Sequence, residues 1–309
     1  MVIFCSTLFS AFKLNKESVV YETKFERGFT MKVKIQLFVI FFSLIALSGC
    51  TTSSTGRNQI TLFSNAELDK MGITSFAQMK EKQAISNDKA TNQFVQCVAK
   101  AITKNVEQSV HQGDWEIVVF DSEQINAFAL PGGKIGVYTG IFNVTENQDQ
   151  LAAIIGHEVG HVIEHHSNER LSSGQLAQTG LAIASSVLTS QNVERKEMWM
   201  AGFGLGVQYG VLMPYSRAHE SEADLVGQDL MAKSGFDPHA SIKLWQNMAK
   251  LSKSQPPEFL STHPSNQRRI NQLSEHLALS QGLYRASQHP NCVKPKIIPN
   301  LKTSQKLKH

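Results

Sequence analysis

The chain has 309 residues, 41% of them hydrophobic and 18% charged, with 20 glycines and 9 prolines. That length supplies one large domain or two around a buried core, and the composition excludes a disordered, collagen-like or low-complexity chain. The formal net charge of +4 gathers at the N-terminus, where residues 1–49 hold six basic side chains against three acidic ones; the nearly neutral remainder argues against nucleic acid as a partner.

Residues 31–50 have the order of a secretion signal: Lys32 and Lys34, an apolar run from Ile35 to Leu47, then Leu47-Ser48-Gly49-Cys50. The apolar run is shorter than the ~20 residues that a membrane span takes. Its ending resembles the bacterial lipobox, which implies a lipidated Cys50 and a membrane contact through that lipid. Residues 1–30 are then expected to be an upstream mis-start, 31–49 a lipoprotein signal peptide, and 50–60 a lipidated N-terminus with a polar tether, TTSSTGRNQ. Thr51 in place of Asp, by resemblance to enterobacterial lipoprotein sorting, implies the periplasmic side of the outer membrane. Cys97 and Cys292 remain as an even pair in an oxidising compartment, open to bridging or to staying two separate thiols.

Asn65 can cap a helix running to about Gln83, and a second helix is expected near 92–107, with Phe94, Val95, Val98 and Ile102 on one face. Trp115–Phe120 reads as a strand; Asn126–Leu130 and Lys134–Tyr138 read as strands joined at Pro131-Gly132-Gly133. Gln148–Arg170 is predicted as one long helix. Two apolar Ala/Gly-rich segments, 176–189 and 199–213, read as a buried helical pair or a hairpin lid. Helices are predicted at about 217–234, 238–252 and 265–281, with a loop at Pro256-Pro257 and a basic tail at 291–309. The fold class is α+β, mostly helical around a small sheet.

Residues 157–161 read His-Glu-Val-Gly-His. On a helix, positions i and i+4 share a face about 6 Å apart along the axis, so His157 and His161 can grip one metal ion. Glu158 projects beside them, placed to take a proton from water but not to ligate. Hydrolytic zinc needs three protein ligands and one open position. His165 lies about 12 Å along the same predicted helix from His157, too far to share an ion, and Ser167 stands where an extended three-histidine pattern needs His. Glu220 and Asp224 are again i and i+4, so a second helix can offer one carboxylate to the metal and one to the rear nitrogen of a ligand histidine. Glu222 is rotated away from Glu220 and is expected to face elsewhere. Without the first motif, these acids would read as a solvated helix face.

His157-Glu158-Val159-Gly160-His161, followed some sixty residues later by Tyr215-Ser216-Arg217 and Glu220-x-Glu222-Ala223-Asp224, resembles metallopeptidase family forty-eight. This is the gluzincin family of HtpX and the prenyl-protein proteases, and the likeness is nearest to its bacterial periplasmic lipoprotein members such as LoiP and BepA. The resemblance covers about residues 60–285 and implies a zinc metalloprotease domain over 61–290, with one Zn2+ ion. It implies His157, His161 and Glu220 as ligands, Glu158 as catalytic base and Asp224 as partner of a ligand histidine. It also implies that Asn126 opens the edge strand that aligns substrate. His263 and Arg269 are implied at the cleft, assisting the substrate carbonyl or covering the metal at rest.

The function expected is a zinc-dependent endopeptidase of the bacterial envelope that degrades extended, unfolded or damaged polypeptide. A chaperone-like outer-membrane assembly factor with latent protease activity, partnered by envelope assembly machinery, is one alternative. An integral membrane protease spanning the bilayer through residues 176–213 is the other.

Overall fold

The computed structural model describes residues 50–191, 193–207, 213–251, 259, 263 and 267–295. The expected mis-start, the signal peptide and the end of the basic tail lie outside them, as does the Pro256-Pro257 loop.

The chain opens with a hairpin, β1 (Cys50–Thr52) paired antiparallel to β2 (Asn58–Ile60). Residues 50–60 are therefore not the free tether read from their polar composition. Ser53 and Gln59 are buried, and the hairpin is fastened by side-chain bonds to distant helices. Helix α1 (Asn65–Lys82) starts at a capping box, in which Ser64 and Glu67 satisfy each other's backbone N–H groups. Helix α2 (Lys89–Thr103) is capped by the Asp88 carboxylate on Thr91 N. Its apolar stripe, Phe94, Val95, Val98 and Ile102, is buried as the periodicity predicted.

The three expected strands form one sheet: β3 (Glu116–Phe120), β4 (Ala127–Leu130) and β5 (Lys134–Tyr138), in the order β3-β5-β4. β3 runs parallel to β5, and β4 pairs antiparallel to β5 in the register Ala127 to Val137. β4 is thus an edge strand, and it packs against α3 (Gln148–Ile163). One apolar core joins α2, the sheet and α3 through Val119, Val137, Leu151 and Ile155, and reaches Trp245 and Phe259.

The expected single helix over 148–170 is two helices. Glu164 ends α3, His165 adopts a left-handed backbone (φ 52°), and α4 (His166–Ser190) sets off anew. The break is held by tertiary contacts: Ser54 N and Oγ donate to the Glu164 carboxylate, and Gln59 Nε2 donates to the Glu164 carbonyl. α4 and α5 (Lys196–Val207) pack on each other as an apolar hairpin. Of the two expected readings the buried pair is not what forms: Ile183, Val187, Met198, Trp199 and Leu205 are all exposed. Among the described residues, no helix is long and apolar enough to cross a membrane.

α6 (Met213–Lys233), α7 (His239–Leu251) and α8 (Gln267–Arg285) complete the order. α6 crosses α3 with almost no side chain between them. A Cβ added at Gly227 would lie 2.7 Å from His157 N, and one at Gly156 would lie 2.8 Å from the Gly227 carbonyl oxygen. Small residues at the crossing let the two backbones approach this closely. A disulfide joins Cys97 on α2 to Cys292 beyond α8, with Cα atoms 5.7 Å apart.

Candidate active site

The close α3–α6 crossing brings two sequence motifs, some sixty residues apart, to one buried point. His157 and His161 project from α3 with their Nε2 atoms 3.2 Å apart. Glu220 reaches in from α6, with Oε2 3.4 Å from His157 Nε2 and Oε1 3.5 Å from His161 Nε2. All three residues are at most 5% exposed. Three donor atoms with these separations fit a tetrahedral ion. Metal–nitrogen and metal–oxygen bonds of about 2.0–2.1 Å give ligand-to-ligand edges of about 3.3 Å. The residue types and spacing therefore fit a bound divalent metal.

His263 supplies a fourth donor to the same cluster. Its Nδ1 lies 3.2 Å from His157 Nε2 and 3.0 Å from Glu220 Oε2, and its ring packs on Phe259. Glu158 stands on the far side of that ring, its Oε1 3.4 Å from His263 Nε2. Glu158 Oε1 is buried and makes no hydrogen bond among the described residues. A buried carboxylate oxygen without a hydrogen-bond partner calls for an explanation, and a catalytic role is one.

Asp224 lies behind His157, with Oδ1 3.1 Å from Nδ1. Arg269 holds Asp224 in turn, Nε to Oδ2 at 2.6 Å and Nη2 to Oδ1 at 2.8 Å, and its Nη1 reaches Glu220 Oε2 at 3.1 Å. The guanidinium lies 3.8 Å from the Trp245 ring centroid and the residue is 2% exposed. Arg269 is thus drawn into the site as expected, but its fork is spent on two carboxylates and not aimed at a substrate carbonyl. Asn126 sits one residue before β4, where its Oδ1 accepts a hydrogen bond from Ala127 N and its carbonyl accepts one from Tyr138 N. It marks the start of the edge strand and belongs to no metal cluster.

The charges follow from this packing. Burial opposes protonation of His157, but Asp224 and Glu220 outweigh it and hold the pKa up at about 9. His161 is pushed well below the usual histidine value by burial and by the charge on His157. Burial raises the Glu158 pKa against the pull of His263 and His157. Burial likewise works to raise Glu220, yet hydrogen bonds from His157 and His263 keep its carboxyl ionised well below the ordinary range.

Sequence reasoning missed a second polar layer behind His161. His166 turns back from the start of α4, its Nδ1 2.8 Å from His161 Nδ1 and its Nε2 3.0 Å from Glu222 Oε2. The turn at His165, where one unbroken helix was expected, is what brings His166 back against His161. Glu222 does face away from the metal cluster, as expected, yet it is buried against His166 and Arg57. One signal was available: Glu164, Glu169 and Glu222 crowd around the motif, and buried acids need a cation.

A His/Glu cluster on two crossed helices beside a short mixed sheet defines a metalloendopeptidase domain of the gluzincin type. The Peptidase family M48 model matches residues 89–277, more than half of the chain. The chain belongs to that family. It is 37% identical over 171 residues to the mitochondrial metalloendopeptidase OMA1 of Schizosaccharomyces pombe, a match covering 54% of this chain and 48% of that protein. It is 29% identical over 276 residues to the mitochondrial metalloendopeptidase OMA1 of Homo sapiens, covering 84% and 52%. The beta-barrel assembly-enhancing protease of Yersinia pestis is 28% identical over 255 residues, covering 75% and 51%. The chain spans about half the length of the curated relatives it matches. The expected kinship with bacterial lipoprotein proteases is thus supported at the level of the family, and mitochondrial members stand beside a bacterial one.

Proposed function

We propose that this chain is a zinc-dependent endopeptidase that cleaves extended, unfolded or damaged polypeptide in the bacterial envelope. The observation that carries the reading is the buried triangle of His157, His161 and Glu220, with the unbonded Glu158 oxygen beside it. Those three residues would hold the ion. Zinc, when bound, supplies Lewis acidity that polarises a carbonyl oxygen and lowers the pKa of water.

The chain's own groups do the rest. Glu158 takes a proton from the attacking water at Oε1 and returns it to the leaving amine; a carboxyl raised by burial suits both halves of that task. Asp224 fixes His157 with Nε2 toward the ion, and Arg269 fixes Asp224. The open edge of β4, starting at Asn126, would pair with an extended substrate through main-chain hydrogen bonds, which selects unfolded segments. Glu158→Gln should abolish degradation of a casein-type substrate, by at least a hundredfold, while metal analysis finds zinc near the wild-type content. Activity preserved in that variant would remove Glu158 from the reaction.

The envelope assignment rests on the lipobox-like Leu47-Ser48-Gly49-Cys50 and on the Cys97–Cys292 bridge, which fits an oxidising compartment. Lipid anchoring at Cys50 and placement on the outer membrane are tested by metabolic labelling with a radioactive fatty acid and by membrane fractionation.

A second reading, an assembly factor with latent protease activity, is favoured by His263. Its Nδ1 stands among the donor atoms, where it would compete with water for the ion's fourth position. Replacing His263 with Ala should then raise casein degradation severalfold, whereas a role in stabilising the substrate oxyanion predicts a fall.

A further inference from the structure

Both ligand histidines are backed by a chain of polar contacts that ends on an arginine. Behind His157 the chain is short: Asp224, then Arg269. Behind His161 it is longer, and it leaves the protease helices altogether. With Nε2 of His161 turned to the metal, its Nδ1 carries the proton and donates to His166 Nδ1 at 2.8 Å. His166 must then carry its own proton on Nε2, which donates to Glu222 Oε2 at 3.0 Å. Glu222 is clamped by Arg57, from Nη2 at 2.7 Å and from Nε at 3.1 Å to each oxygen. The same guanidinium grips Glu169 through Nη1 at 2.5 Å and Nη2 at 2.7 Å. Glu169 receives His219 Nε2 at 2.9 Å, and the His219 ring stacks on His166 with centroids 4.2 Å apart.

Arg57 lies in the turn of the N-terminal hairpin, more than a hundred residues from each partner. Ser53 Oγ, 2.7 Å from Glu222 Oε1, and Thr55 Oγ1 add further donors from that turn. The hairpin therefore supplies the far end of the support for a metal ligand, and it does so with the one residue type that can fork onto two carboxylates at once.

We infer that Arg57 is a positioning residue for the metal centre: through Glu222 and His166 it sets the tautomer and orientation of His161, so the hairpin of residues 50–60 is part of the catalytic unit. The inference rests on His161 being a ligand, as proposed above.

The test measures zinc affinity of the purified chain by competition with a chromophoric chelator, and records the visible spectrum of the cobalt(II)-loaded protein. Arg57→Met and His166→Phe should each weaken zinc binding about tenfold or more, the range seen when the outer partner of a ligand histidine is lost. Both should alter the cobalt absorption bands. Their double variant should bind no worse than the weaker single one, because both changes cut the same line. His166→Phe keeps every Arg57 ion pair and can still stack on His219, so it stays informative if Arg57→Met fails to fold. Arg57→Lys keeps the charge but not the fork and should fall between wild type and Arg57→Met.

Zinc affinities within twofold of wild type in both Arg57→Met and His166→Phe, with only a lower melting temperature, would reduce the hairpin to a structural staple and overturn the inference. Losses that multiply in the double variant would overturn it as well. A His161→Ala control that binds zinc like wild type would instead remove the ligand assignment on which the inference stands.

Discussion

His157 carries opposite instructions from its surroundings, and the outcome is a pH dependence that can be measured. Burial disfavours its charge, yet Asp224 and Glu220 hold its pKa at about 9 in the metal-free protein. An unfolded histidine titrates near 6.5. Its contribution to the stability of the metal-free fold is therefore fully present below about pH 6.5 and is lost as pH rises through about 9. His161 is shifted the other way, well below the usual histidine value, by burial and by the charge on His157. A metal ion competes with the His157 proton, so zinc affinity should climb close to tenfold per pH unit between 6.5 and 9. Thermal melts with and without zinc check this: the melting-temperature gain from zinc should widen steadily across the window. A gain independent of pH would mean that His157 carries no proton in the free site.

At the scale of elements, the site depends on how closely two helices cross. A Cβ added at Gly160, inside the His157–His161 motif, would lie 3.0 Å from the Ala223 carbonyl oxygen, and one at Gly227 would be tighter still against His157. Gly227→Ala should force α3 and α6 apart and draw Glu220 away from the histidines. The expected cost is about 1–3 kcal/mol of stability and at least tenfold in zinc affinity, read by denaturation and by metal titration. Gly174→Ala is the control, since a Cβ there meets nothing within 4 Å; in the α4 interior it should be neutral or slightly stabilising. Equal effects in the two variants would show that the crossing has slack. Much of this level was legible in the sequence. The helical stripe of α2, the three strands and the pairing of Glu220 with Asp224 all follow from periodicity and spacing. The break at Glu164–His165 was not, because no Gly or Pro marks it; Ser54 and Gln59, more than a hundred residues earlier, hold it in place. The hairpin at 50–60 was invisible for the same reason. TTSSTGRNQ has the composition of a tether, and its order comes from acids on distant helices.

For the molecule as a whole, the joins that matter are long in sequence. The N-terminal hairpin binds α4 and α6, β4 lies along α3, and the segment after α8 returns to α2 through Cys97–Cys292. That last join bears on both the compartment and the stability of the chain. The bridge closes a loop of 195 residues, and the chain-entropy estimate for such a loop is about 5 kcal/mol of stabilisation, an upper figure because denatured chains keep some order. It also pins the far end of the chain, since Cys292 N donates to Gln148 Oε1 and Pro290 O accepts from Gln148 Nε2 at the first turn of α3, the helix that carries both histidines. Reduction should therefore lower the melting temperature by several degrees and, through α3, weaken zinc retention. Cys97→Ser should reproduce the effect of reductant and be insensitive to further reductant. If wild type and Cys97→Ser melt together under oxidising conditions, the two thiols are not bridged in the folded protein, and the oxidising compartment loses its structural support.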